Sequence, residues 1–414
     1  MYSFNPDTFH WAVGIENTFI PHERPGLRAL EEYELTQHYH FWREDIDRAA
    51  DLGVGYIRWG IPWYRVNPER GRYHWAWVDE VLDYLVNQKG IQPIVDLVHY
   101  GTPLWLENSF IDPDYPQYVA EYAHAVAERY GSLVRYYTPL NEPTLNAEYG
   151  GRREEWPPYL AGEEGYVQVL LPIVRGMVCT TRAVREADPD AVFVQVEAMA
   201  WGWTQDKRLE DVVENRIAHT YLANDLYMGR VDTHHLLWPY LRQHGVTEND
   251  LAWLQENKET VDIFGVNFYP WSGGEAVLDT DGRPRLIGKL NGQHLADVMR
   301  RTWERYQIPL MITETSAKED VTGRARWMDE TITAVAASRA EGVPILGYTW
   351  FPMMTMVDWE YRRTDKPVAD YLIHLGLWDA TFDENQVLQR MSTPLVEKYR
   401  HYVSQGTPQP IATT

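Results

Sequence analysis

Two glutamates stand where apolar runs stop. The run "VRYYTPLNE" ends in Asn141 and Glu142, and Pro143 follows, which has no backbone donor with which to continue a strand. The run "PLMITET" brings Glu314 to the same kind of position. A carboxylate at the mouth of a buried strand is either paired with a cation or available for chemistry. Two carboxylates in different surroundings can divide the duties of acid and nucleophile. If they flank a glycosidic bond about 5–5.5 Å apart, the reaction retains configuration.

The elements that would position them alternate along the chain. Strand candidates are "FHWAVGIE" from Phe9, "YIRWGI" from Tyr56, "QPIVDLVHY" from Gln92, "VRYYTPLNE" from Val134, "AVFVQVEA" from Ala191, "VDIFGVNFY" from Val261, "PLMITET" from Pro309 and "ILGYTWFP" from Ile345. Amphipathic stretches such as "YHFWREDIDRAADLG", "YPQYVAEYAHAVAERYG" and "RARWMDETITAVAASRAEG" lie between them, several closed by the glycine expected just past a helix end. Near-continuous apolar strands separated by helices predict parallel strands buried on both faces, hence a (β/α)8 TIM barrel. No Ser/Gly-rich linker or charge block divides the chain, so residues 1–414 read as one domain. Two stretches lack simple periodicity: "NSFIDPD" with "GGRREEWPPYLAGEEG", and "WSGGEAVLDTDGRPRLIGKLNGQ". Both follow strand ends, so a barrel places them as extended loops at its C-terminal face, walling a cleft.

The same end of the barrel gathers further polar groups: Glu16 and Asn17, Arg58, His99, Glu197, Asn267, Tyr269, and then Trp350. Any one of these could be a satisfied polar residue at a strand edge. Together, at one end, they describe a site.

Composition narrows the partners. A net charge of −22 repels phosphate backbones and anionic membranes, which argues against nucleic acid and membrane surfaces. Hydrophobic content of 44% supports a large core. The 18 Trp and 27 Tyr serve mainly to fill it, with some left to line a sugar cleft. Cys179 is the single cysteine and falls in a helical pattern, where a small buried residue is expected. The start of the chain shows no basic region followed by an apolar run, and no 18-residue apolar segment is evident, so a soluble cytoplasmic protein is expected. The pairs His38/His40 and His234/His235 lack the spacing of a metal site, and they are expected to be surface or structural residues. The chemistry needs no metal or cofactor.

The run "YIRWGIPWYRVNPERGRYHWAWVDEVLDYLVNQKGIQPIVDLVHYGTPLWL", then "TPLNEP", "FGVNFY", "MITET" and "GYTW", resembles glycoside hydrolase family 1, the β-glucosidase family, in the family's order and over nearly the whole chain. The resemblance implies a retaining β-glycosidase that works by double displacement on a small glycoside. It implies Glu142 as general acid/base, Glu314 as nucleophile, Arg58 and Tyr269 as supports that keep Glu314 ionised, Asn141 at the sugar 2-hydroxyl and His99 at the 3-hydroxyl. Asn267 and Trp350 are expected in the sugar site. Where the family carries a glutamine on the first strand, this chain has Glu16 and Asn17, and "HW" after the third strand has become His99 and Tyr100. After the eighth strand "YTWFPMMTMVDWEY" departs in spacing, so either Asp358 or Glu360 would meet the 4- and 6-hydroxyls. Alternative readings are an endo-acting glucanase or mannanase of the same clan, or a non-catalytic sugar-binding barrel. A phosphate-binding serine and lysine after the eighth strand are not evident, although Arg362, Arg363 and Lys366 are basic.

Overall fold

The computed structural model describes residues 8–409. Eight parallel strands close into a barrel: β1 (His10–Gly14), β2 (Tyr56–Gly60), β3 (Gln92–Asp96), β4 (Tyr136–Thr138), β5 (Val192–Ala198), β6 (Ile263–Asn267), β7 (Leu310–Glu314) and β8 (Ile345–Trp350). All eight fall within the runs read from the sequence. The outer ring consists of α1 (His38–Asp51), α2 (Ala76–Asp83), α3 (Tyr115–Tyr130), α4 (Gly162–Ala187), α5 (Glu210–Tyr227), α6 (Gly292–Tyr306), α7 (Val321–Ala340) and α8 (Pro394–Ser404).

Strand periodicity separates two layers of core. Val192, Val194 and Val196 of β5 face the barrel interior with Ala12, Ile94, Ile263, Met311 and Leu346. Phe193, between them, faces the helices. Alternation of period two is what lets one strand serve both layers. A third cluster, with Ile20, Leu30, Tyr100, Trp156 and Val357, lies among the loops at the C-terminal face.

Two slips of register decide which side chains reach the mouth. Along β7, Ile312 pairs with Val266 but Glu314 pairs with Asn267, so Thr313 is an extra residue. Met311 faces inward and Ile312 outward, so strict alternation would turn Glu314 away from the barrel. The bulge restores it to the mouth. Along β8, Ile345 pairs with Leu310 and Gly347 with Met311, so Leu346 is extra. Leu346 faces the interior, and beyond the slip Tyr348 and Trp350 face the helix-side core.

Three expectations need correction here. The stretch "WSGGEAVLDTDGRPRLIGKLNGQ" holds an antiparallel hairpin, Gly273–Leu278 with Pro284–Ile287, which extends through Trp201–Trp203 to a three-stranded sheet. Its turn residues concealed the two short strands. The helix α4 contains an 18-residue stretch apolar enough to cross a membrane, with mean hydropathy 1.3, and 61% of it is buried. Its packing against α3 accounts for that apolar content. Cys179, on α4, is half-buried rather than fully enclosed.

Candidate active site

Arg58, at the end of β2, is fully buried and organises the mouth of the barrel. Its Nη1 donates to Glu314 Oε1 at 2.5 Å, and its Nη2 donates to both Asp96 oxygens at 2.7 and 2.9 Å and to Asn141 Oδ1 at 3.1 Å. A guanidinium suits this position because its planar fork can meet several acceptors at once. Burial opposes its charge, but the charges of Asp96 and Glu314 more than offset that and raise its pKa.

Glu314 receives a second donor on its other oxygen, the Tyr269 hydroxyl at 2.7 Å. Glu142, at the end of the β4 run, receives Asn267 Nδ2 on Oε1 at 2.7 Å and the Tyr100 hydroxyl on Oε2. Thr313 Oγ1 donates to Asn267 Oδ1 at 2.7 Å and so fixes which way that amide points. The Glu142 backbone is left-handed, with φ 49° and ψ 63°, and its amide bonds Val196 of β5 at 3.2 Å. A residue before proline is kept out of the right-handed helical region, and this conformation persists only because the neighbouring strands hold it.

The two carboxyls share one environment and have unequal partners. Burial raises Glu142 and, with the charge of Glu142, raises Glu314, which is pushed up to about 8. The contribution from Glu142 exists only while Glu142 is ionised. One proton shared by the pair removes it. The direct Arg58 contact favours the negative charge on Glu314, whereas Glu142 has only neutral donors.

His99 is buried, with Nδ1 3.0 Å from Asp96 and Nε2 3.1 Å from Asn141 Nδ2 and 3.5 Å from Glu16. Burial works against its protonation, but Asp96, Glu16 and Glu314 hold its pKa above the usual histidine range. Glu16 accepts from the Thr18 amide and hydroxyl at 2.9 and 2.6 Å. Asp358 pairs with Lys318 at 2.9 Å, and Glu360 pairs with Arg363. Between them Trp359 sits edge-on to Tyr100, Tyr149 and Trp156, which fixes the loop after β8 over the mouth. A cavity of about 1310 Å³ opens there, lined among others by Glu16, His99, Glu142, Asn267, Tyr269, Glu314, Asp358 and Glu360.

Three expected sugar contacts lie behind that surface. Trp350 is fully buried and donates through Nε1 to Leu375 O at 3.1 Å, because the slip in β8 turned it to the helix side. Asn17 fills the space where a Gly60 side chain would stand, a β-carbon there lying 1.7 Å from its Nδ2. Asn141 is fully buried, its amide engaged with Arg58 and His99. Glu197 also leaves the ring: it points outward and accepts from Thr144 Oγ1 at 2.9 Å and Asn224 Nδ2 at 3.1 Å. Sequence reasoning missed Asp96 and the role of Tyr100. An aspartate inside the apolar run "PIVDLVHY", three residues before His99, was the available signal. Among the described residues no His, Cys, Asp and Glu cluster could hold a metal. His38 is a structural residue, buried between Asp45 and the Trp59 indole.

A closed parallel barrel with two buried carboxylates at its mouth, one charge-paired and one not, is the architecture of a glycoside hydrolase. The model of glycosyl hydrolase family 1 matches residues 31–281, more than half of the chain, and the chain belongs to that family. It is a retaining β-glycosidase. β-Glucosidase A of Thermotoga maritima is 25% identical over 356 residues, 78% of each chain. The 6-phospho-β-glucosidase of Dickeya chrysanthemi is 24% identical over 379 residues, 80% of this chain and 78% of that one. The structure of a Thermotoga maritima β-glucosidase in complex with deoxynojirimycin superposes with a TM-score of 0.83 at 21% identity, covering 96% of this chain and 98% of that one, which shows the shared fold.

Proposed function

We propose that this enzyme hydrolyses unphosphorylated β-glucosides, with Glu314 as nucleophile and Glu142 as acid/base. The observation that carries the assignment is the asymmetry of the pair: Glu314 is bonded to a buried guanidinium, whereas Glu142 has only neutral donors, Tyr100 and Asn267. Glu314 attacks the anomeric carbon while the Glu142 proton passes to the departing oxygen, which leaves a glycosyl ester on Glu314. Glu142, now ionised, takes a proton from water as that water attacks the same carbon, releasing sugar with its original configuration. Arg58 and Tyr269 keep Glu314 oriented and charged before attack, and they receive it as a leaving carboxylate afterwards.

The preference for an unphosphorylated sugar rests on the cations near Asp358 and Glu360. Lys318 is paired with Asp358, and Arg363 with Glu155 and Glu360. Arg362 donates to the carbonyls of Pro21, Arg28 and Glu155. Lys318, Arg362 and Arg363, the described cations that line this end of the cavity, thus all have acceptors within the protein. A panel of nitrophenyl β-glycosides of glucose, galactose, fucose, mannose and xylose, with 6-phosphoglucose, tests the reading. The highest kcat/KM is expected on the glucoside; preference for the phosphorylated sugar would overturn the substrate assignment, and no turnover of any of them would overturn the catalytic one.

A further inference from the structure

The cavity continues past Glu142, away from β8 and β1, into a lobe between the loop after β4 and the helix after β5. One wall is a face of α5. Val212, Asn215, Arg216, His219 and Thr220 all line the cavity, and their spacing of three and four residues sets them on one side of the helix. Opposite stand Arg152 and Arg153. Arg152 pairs with Glu148 and, at 2.7 Å, with Glu163, which also accepts from the Tyr240 hydroxyl at 2.6 Å. Arg153 shares Glu148 at 2.8 Å. The two carboxylates are thus occupied by these two arginines.

Arg216 is left over. It is exposed on the cavity side of α5, and no ion pair or hydrogen bond joins its guanidinium to a described residue. Asp211 lines the cavity too, five residues earlier, which is about 7.5 Å along the helix and well around it. In a chain of net charge −22, an unpaired guanidinium inside a concave wall is a site for an anion, and its fork matches a carboxylate or phosphate in bidentate fashion. The volume of about 1310 Å³ exceeds the roughly 300–1,000 Å³ of an ordinary small-molecule pocket, so a sugar at the carboxylate pair leaves room for a bulky leaving group.

We propose that this lobe is the leaving-group subsite and that Arg216 there selects β-glycosides whose leaving group carries an anionic substituent, a carboxylate or a phosphate-type group. The inference rests on the reading of Glu142 as the acid, because the leaving oxygen must lie on the acid's side. The lobe opens on that side, whereas Glu16, His99, Asp358 and Glu360 come from the loops of β1, β3 and β8.

The test compares aryl β-glucosides that differ only in a remote group: 4-(carboxymethyl)phenyl, 4-(phosphonomethyl)phenyl and the neutral 4-(carbamoylmethyl)phenyl glucoside. The methylene insulates the phenol, so leaving-group acidity stays nearly constant. The ratio of kcat/KM for each anionic substrate to that for the amide is expected to exceed one in the wild type, to fall about tenfold in Arg216→Ala, mostly through KM, and to be largely kept in Arg216→Lys. The larger of the two ratios identifies carboxylate or phosphate as the preferred anion. Rising salt should shrink both. An unchanged ratio in Arg216→Ala, or a wild type that prefers the amide, overturns the proposal. Calorimetric binding of 4-hydroxyphenylacetate against its amide, to wild type and Arg216→Ala, reads the same subsite without turnover. If no glucoside is hydrolysed, the catalytic reading fails on its own, and this binding difference still decides the role of Arg216.

Discussion

Tyr100 donates its hydroxyl to Oε2 of Glu142 from a left-handed backbone position, φ 77°, at the turn that follows β3. That bond favours the ionised carboxylate and works against the burial that raises Glu142. Tyr100→Phe keeps the ring among Trp156 and Trp359 and removes only the donor. The pKa of Glu142 then rises, the acid form persists to higher pH, and the basic limb of the kcat/KM profile should move upward. A limb that stays in place or moves down would show that Tyr100 does not tune the acid.

Arg58→Ala leaves Glu314 and Asp96 buried without their cation. Breaking a buried pair in this way costs about 3–5 kcal/mol, so the variant should melt earlier in urea and lose activity even where it remains folded. Asp96 bears part of that penalty. Burial raises it, while Arg58 and His99 hold it below the ordinary carboxylate range, so its contribution is full above the unfolded pKa of about 3.9 and is lost as pH falls through the folded value. Adding Asp96→Asn to Arg58→Ala should recover stability without recovering turnover. A double variant no more stable than the single one would place the penalty elsewhere.

A 2-deoxy-2-fluoro glucoside should label Glu314. The fluorine slows both steps, and a reactive leaving group lets the first outrun the second, so the ester accumulates. Peptide mass mapping of the inactivated protein should find the sugar on the segment containing "MITETS". Label on Glu142, Glu16 or Asp96 would remove the nucleophile assignment.

Glu142→Ala should slow hydrolysis of alkyl glucosides by about 10²–10⁴-fold while largely sparing glycosylation by activated aryl glucosides, which need little protonation. Azide requires no base, so it should restore turnover and give the β-glycosyl azide. Rescue of Glu314→Ala should give the α-product. The opposite stereochemistry would exchange the two roles.

Gly14→Ala tests the support beneath the site. A β-carbon at the end of β1 would lie 2.1 Å from the Phe351 ring, whose face sits 5.2 Å from the Arg58 guanidinium carbon. Overpacking of this kind typically costs about 1–3 kcal/mol. Thermal melting should show that loss, with a fall in kcat as Phe351 pushes on Arg58. Wild-type stability would mean that the ring has free space the packing does not show.

Sequence alone determined the barrel, its eight strands and the two strand-end glutamates proposed as the catalytic pair, because those positions rest on local rules. Apolar runs bounded by helical periodicity define strands, and a polar residue where such a run stops marks the strand's end. The same rules could not say which strand-end residues face the substrate. Trp350 and Glu314 sit alike in their runs, yet one is hidden and the other exposed to the cavity. The difference lies in two register slips, at Leu346 and Thr313, and a one-residue slip exchanges the two faces of a strand. Register is set by how neighbouring strands pair, which is a property of the closed barrel and not of any one run. The convergence of Arg58, Asp96 and Asn141 has the same origin: these residues, far apart in the chain, meet only because β2, β3 and β4 lie side by side. The lobe lined by Arg216 lies further still from anything local, since only the tertiary structure decided that this face of α5 looks into the cavity beside Glu142.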